Sequence, residues 1–178
     1  MSNNSGMANR DLAQLKELLG DQLANVRKLI VLGVGAVFCN DDAAGMICLD
    51  HLALALPERE DILLLGGSSA PENFTGVIAD FAPDLLLFVD AADIGRPIGT
   101  VAVIPAEQID GITFCTHMLP LPVMLQYLAN RCPEMRPLLL GIQPADTGQG
   151  TDVHPAVRAA AEALGEALAE VIERGMRR

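Results

Sequence analysis

At 178 residues, with 51% hydrophobic and 20% charged side chains, the chain is long enough for one domain with a packed core and too apolar to be disordered throughout. Twelve lysines and arginines against 23 acids give a formal charge of −11 and a pI near 4.5, which excludes a basic footprint for nucleic acid and attraction to anionic lipid. Aromatic residues make up 3% and Trp is absent, so the core has to be aliphatic. No run reaches the roughly 18 apolar residues of a membrane span, and the N-terminus shows no basic segment followed by an apolar one. Cys39, Cys48, Cys115 and Cys132 form no CxxC pair and no zinc-finger spacing with a histidine, so they read as reduced thiols of a cytoplasmic protein.

Residues 1–8 are small and polar, and are expected to be a flexible N-terminal tail. Leu12, Leu15, Leu18 and Leu19 recur at helical spacing over 9–19, up to Gly20 and Asp21. The run LIVLGV (29–34) reads as a buried strand, and 42–56 has helical composition stopped by Pro57. DILLLG (61–66) is a second strand, closed by GSSAPEN and followed by a short helix over 74–82. DLLLFVD (84–90) is apolar without alternation, as in a strand covered on both faces. TVAVIP (100–105) is a shorter strand, 121–131 a helix with Pro122 in its first turn, and PLLLGIQP (137–144) another buried strand. Over 155–173, Val157, Ala161, Leu164, Leu168 and Val171 share one face while Glu162, Glu166, Glu170 and Glu173 share another, behind a Pro155 placed where the first turn needs no N–H. Strands alternating with helices predict a single α/β domain over 9–178, a three-layer sandwich with a mostly parallel twisted sheet and helices on both faces.

In open sheets of this kind, ligands bind beyond the carboxyl ends of the strands. The sequence places Asp41 and Asp42 after the first strand, Gly66 to Asn73 after the second, Asp90 at the end of the third with Asp93 just beyond, and Gln143 at the end of the last. His117 lies in the loop FCTHMLPLP ahead of a helix. A helix N-cap is the ordinary role for Asp41, and complementing the helix dipole that for Asp42. Asp90, after LLLFV, sits at the edge of a dry core, where a carboxylate needs a partner. Asp42, Asp90 and His117 form a donor set suited to a divalent transition metal with open positions, but sequence distance does not fix their convergence. His51 and His154 read as ordinary helix and helix-start residues. Gly33 and Gly35 do not open a dinucleotide fingerprint, since Phe38 stands in place of the third glycine and the second strand ends in Gly66–Gly67 instead of a ribose-binding acid. Neither a GxSxG elbow nor a phosphate-loop lysine is present.

Five segments, LGVGAVFCNDDAAG, GGSSAPEN, LLLFVDAADIG, THMLPL and GIQP, stand in the order found in the NiFe-hydrogenase maturation endopeptidases. Together they most resemble the formate-hydrogenlyase (hydrogenase 3) type, over a stretch from about Lys28 to the last helix. The resemblance implies a peptidase that removes a C-terminal extension from a hydrogenase large-subunit precursor after nickel insertion. The precursor is then the partner, and the nickel is carried by it and recognised there. The family's metal-contacting positions fall on Asp42, Asp90 and His117, which leaves Asp41 to the helix start. Hydrolysis requires a water. Either a divalent ion polarises the carbonyl or lowers the pKa of bound water to roughly 7, or Asp42 or Asp90 acts as general base; the sequence leaves both open.

Gly66 and Gly67 offer backbone amides to an extended substrate tail, unless GGSSAPEN is only a turn, and Gln143 is a further substrate-binding candidate. There are departures from the family pattern. Ala36 stands where asparagine is usual, Asn40 where glycine is usual, and Met118 where asparagine often follows the histidine. Two missing amides remove hydrogen bonds that orient ligands, an effect of roughly 10–100-fold in comparable sites. Cys39 and Cys115 add soft sulfur nearby. These departures leave a second reading open, a non-catalytic metal-dependent checkpoint or chaperone that binds the same precursor.

Overall fold

The computed structural model describes residues 4–104, 113–114 and 121–176, with side chains from Leu12 onward except at 113–114. The chain runs α1 (Asn4–Leu23), β1 (Leu29–Val34), a 3-10 turn (Asn40–Ala43), α2 (Ala44–Ala55), β2 (Ile62–Ser68), a second 3-10 turn (Pro71–Phe74), α3 (Thr75–Phe81) and β3 (Leu85–Asp93). It continues through β4 (Val101–Ile104), β5 (Thr113–Phe114), α4 (Leu121–Arg131), β6 (Arg136–Ile142) and α5 (Pro155–Gly175). The sheet order is β2-β1-β3-β6-β4, with β5 attached to β3. β2, β1, β3 and β6 are parallel; β4 runs antiparallel to β6 and β5 antiparallel to the end of β3.

The unbroken apolar run in β3 is explained by its two faces. Leu85, Leu87, Val89 and Ala91 enter a core shared with α1, α2 and α5, whereas Leu86, Phe88 and Ala92 enter one shared with α3 and α4. Leu29 and Val31 of β1 face the first core, Ile30 and Leu32 the second. This is the three-layer sandwich that the alternation of elements predicts. The amphipathic reading of α5 also holds, because Val157, Ala161, Leu164, Leu168 and Val171 are all buried.

Three features differ from the sequence reading. α1 begins at Asn4, inside the stretch expected as a tail, and continues through Gly20 and Asp21 to Leu23. Leu15, Leu19 and Leu23 extend its apolar stripe into the core shared with α5, and that burial offsets the roughly 1 kcal/mol cost of a helical glycine. β3 runs on to Asp93, so Asp90 lies within the strand. β5 is a two-residue addition that no sequence pattern marked. Among the described residues no helix is long and apolar enough to cross a membrane. Cys39, Cys48 and Cys132 are free, and burial of Cys48, on the core face of α2, pushes its thiol up to about 12, so it stays protonated.

The connection from β1 to β2 passes through α2 on one face, and that from β2 to β3 through α3 on the other. The chain therefore leaves β1 towards β2 and comes back on its other side at β3. That reversal is a topological switch point, the place where such sheets open a crevice beyond the strand ends.

Candidate active site

β1 gives way at Gly35, whose φ of +126° and close approach to the Asp42 carbonyl exclude any side chain: a Cβ there would stand 1.7 Å from that oxygen. The next residues close a turn, with the Cys39 N–H donating to the Ala36 carbonyl (3.0 Å) and the Asp42 N–H to the Cys39 carbonyl (3.0 Å). Helix α2 then descends onto the sheet. Its Gly45 lies so close that a Cβ would come within 2.1 Å of the Val34 carbonyl oxygen and 2.2 Å of that of Val89. One contact thus joins a residue three positions after Asp42 to the residue just before Asp90.

The ladder between β1 and β3 ends at the Gly33–Val89 pair, while that between β3 and β6 continues through Asp90–Gly141 and Ala91–Ile142. Asp90 is the first β3 residue past its last β1 partner, at the notch where the two strands part. Asp42 is 0% exposed and Asp90 2%. The Asp42 carboxylate accepts from the Ala36 N–H at 2.5 Å, so the backbone of residue 36 orients it without a side-chain amide.

Asn40 has φ of +45°, in the left-handed region that glycine favours and asparagine tolerates. Its side chain adds contacts that a glycine lacks. The Nδ2 donates to Asp146 Oδ2 at 2.8 Å, and Oδ1 accepts from the Asp152 N–H at 3.1 Å.

Asp41 is not the N-cap expected of it. It lies inside the 3-10 turn, and neither that turn nor α2 carries a side-chain cap. Its buried carboxylate instead accepts three backbone N–H groups, those of Ala145 (2.7 Å), Asp146 (3.0 Å) and His154 (2.6 Å). The loop from Pro144 to His154 is thereby fastened to the segment that carries Asp42. His154 caps α5, its Nδ1 accepting from the Ala156 N–H at 3.2 Å. Backbone donors have no sequence signature, so this clamp could not be read from the sequence, where a helix N-cap was the ordinary role for Asp41.

Gln143 stands one residue beyond β6 with its amide engaged at both ends. Oε1 accepts from Ile94 N (2.9 Å) and Arg96 N (3.2 Å), while Nε2 donates to Asp93 Oδ1 (3.1 Å) and the Pro144 carbonyl (3.2 Å). It ties the turn after β3 to the end of β6. Gly66 and Gly67 close the edge strand β2; Gly66 is exposed, whereas Gly67 packs against Leu32, Gly33 and Pro71. A depression of about 630 Å³ lined by Leu56, Pro57, Arg59, Ile62 and Leu63 opens at the amino ends of the strands, away from all these groups.

His117, Cys115 and Met118 lie outside the described residues. Among the described ones, no group of three histidine, cysteine, aspartate or glutamate side chains is placed to hold a metal ion. Asp42 and Asp90 supply two carboxylates, which fit a divalent ion only as part of a larger donor set.

Residues 46–171 match the family model for hydrogenase maturation proteases (HycI), beginning four positions after Asp42. A Methanocaldococcus jannaschii relative, provisionally named a hydrogenase maturation protease, is 30% identical over 136 residues, or 73% of this chain and 80% of that one. The hydrogenase 3 maturation protease of Escherichia coli K12 is 32% identical over 120 residues, covering 67% of this chain and 74% of that one. The crystal structure of the NiFe-hydrogenase maturation protease HycI from Thermococcus kodakarensis superposes with a TM-score of 0.78 at 31% identity, over 88% of this chain and 99% of that one. With the family model covering well over half its length, the chain belongs to the hydrogenase maturation protease family and is a peptidase.

Proposed function

We propose that this peptidase removes the C-terminal extension of a NiFe-hydrogenase large-subunit precursor after nickel insertion, in the cytoplasm, and recognises the nickel its substrate carries. One observation carries the reading: Asp42 and Asp90, from separate segments, are buried where β1 and β3 part. In this reading they grip the precursor's nickel together with His117, which follows Phe114 by three residues; Phe114 pairs with Ala92, two residues beyond Asp90. The ion supplies Lewis acidity towards the scissile carbonyl. Asp42 or Asp90 takes the proton of the attacking water, and the Ala36 N–H keeps the Asp42 carboxylate turned to its task. Ala36 therefore supplies from its backbone an orienting bond to Asp42. The substrate tail lies extended along the rim by Gly66 and Gly67, where the edge strand offers backbone groups. Gln143 supports the site at one remove, by holding the turn after β3.

The test incubates the purified protein with nickel-loaded and nickel-free precursor and reads the precursor's C-terminus by intact mass. Loss of the tail from the loaded form alone is the expected result. Cleavage of both forms would remove nickel recognition from the proposal, and cleavage of neither would overturn it.

A further inference from the structure

Beside Asp42 the chain spends two of its large apolar residues on solvent. Phe38 is 74% exposed and Val37 46%, the one pair of sequence neighbours among the large exposed hydrophobics of the described residues. Aromatic residues are scarce in this chain, so a phenylalanine placed in water at the rim is a costly use of one. The tip is also fixed. The Phe38 carbonyl accepts from the Gly150 N–H at 2.9 Å, the Cys39 N–H closes onto Ala36, and Ala36 in turn holds Asp42. Position of the tip and position of the Asp42 carboxylate are therefore set by one bonded unit, which keeps Val37 and Phe38 beside the segment that carries Asp42.

The surroundings of the tip say what chemistry it meets. The loop bonded to it carries Asp146 and Asp152, both exposed, and neither the 33–43 segment nor the 144–154 loop contains a lysine or arginine. An apolar pair framed by carboxylates is complementary to an apolar side chain flanked by lysine or arginine. We infer that Val37 and Phe38 are the docking contact for the folded body of the protein substrate, seating an apolar residue with basic neighbours next to the tail that is removed. This rests on the function proposed above and deepens it. The carboxylates act on the tail, and the tip recognises the protein that bears it.

The test uses the full chain and nickel-loaded precursor, with dissociation constants measured by titration alongside cleavage. The expected result for the V37S/F38S double variant is a Kd and a KM raised roughly tenfold or more, with kcat within about twofold and thermal melting unchanged. Phe38→Leu, which keeps an apolar tip, should restore binding to within about threefold of wild type. An unchanged Kd in the double variant would overturn the inference, as would a fall in kcat at constant KM, which marks a disturbed Asp42. Binding by wild type without cleavage would sink the proposed function while leaving the docking comparison decisive.

Discussion

Asp41 accepts three N–H groups from a loop more than a hundred residues away, and Asp42 accepts one from Ala36, six residues away. Exchanging each for asparagine separates their roles. In Asp41→Asn the single remaining carbonyl oxygen cannot serve both sides of the clamp, and the new NH2 group faces a backbone donor. That mismatch should cost about 2 kcal/mol, seen as a lower urea midpoint, because a buried donor is left unmet. Asp42→Asn keeps an oxygen for the Ala36 N–H, so stability should change by less than about 1 kcal/mol while processing of the precursor falls by about 100-fold or more. The reverse pattern, a stable and inactive D41N beside a destabilised and active D42N, would show that the catalytic and clamping positions had been exchanged.

At the scale of elements, β3 is held at both ends. Opposite the notch, the Asp84 carboxylate accepts from the backbone N–H groups of Arg27 (2.8 Å) and Lys28 (2.9 Å) and from the Arg27 guanidinium (3.3 Å), tying the start of β3 to the start of β1. Partial burial pushes its pKa up, but the backbone donors of Lys28 and Arg27 and the guanidinium outweigh it, and the carboxyl lies below its ordinary value. A folded-state pKa lowered in this way gives stability that is complete above the unfolded value and lost as pH falls through the folded one. The stability difference between wild type and Asp84→Asn, of order 1 kcal/mol at neutral pH, should accordingly shrink as pH drops below about 4. Urea unfolding between pH 7 and pH 2 measures it, and a difference constant with pH would dissociate Asp84 from the acid limb. The strands and helices themselves were legible in the sequence because their apolar periods are long: 121–131 and the stripe of α5 are found where spacing puts them. Strand order was not, nor the reversed direction of β4, since four residues such as VAVI fit either direction equally. Asp42 and Asp90 stood out in the sequence as acids beside apolar runs, and both are buried; that Asp90 lies inside β3 and Asp42 in a 3-10 turn was not readable there. Asp41 was misread because its partners are backbone groups of a remote loop, and Asn40 was read as a lost glycine when its left-handed backbone preserves what the glycine supplies.

At the scale of the whole molecule, the charge of −11 is unevenly spread. Asp41, Asp42, Asp90, Asp93, Asp146 and Asp152 cluster at or just beyond the carboxyl ends of the strands, with Arg96 in the turn after β3, whereas at the amino ends Arg27, Lys28, Arg59 and Arg136 are mixed with Glu58, Glu60, Asp61 and Asp84. The Gly148 N–H and the Asn40 amide hold the Asp146 carboxyl below its ordinary range, so the exposed part of this field persists into weak acid. A mainly acidic rim beside a buried site steers an oppositely charged macromolecule before contact, and salt weakens that steering, since the screening length falls from about 10 Å at 0.1 M to about 3 Å at 1 M. For the precursor as substrate, kcat/KM should therefore drop by about threefold or more between 50 mM and 500 mM NaCl while kcat holds steady. An Asp146→Asn/Asp152→Asn variant should show a shallower slope, because it removes exposed charge next to the apolar tip, whereas neutralising Glu58 and Glu60 at the far end of the sheet should leave the slope as it is. A kcat/KM that ignores salt, or rises with it, would place the docking energy in apolar contact alone and leave the acidic rim a matter of solubility.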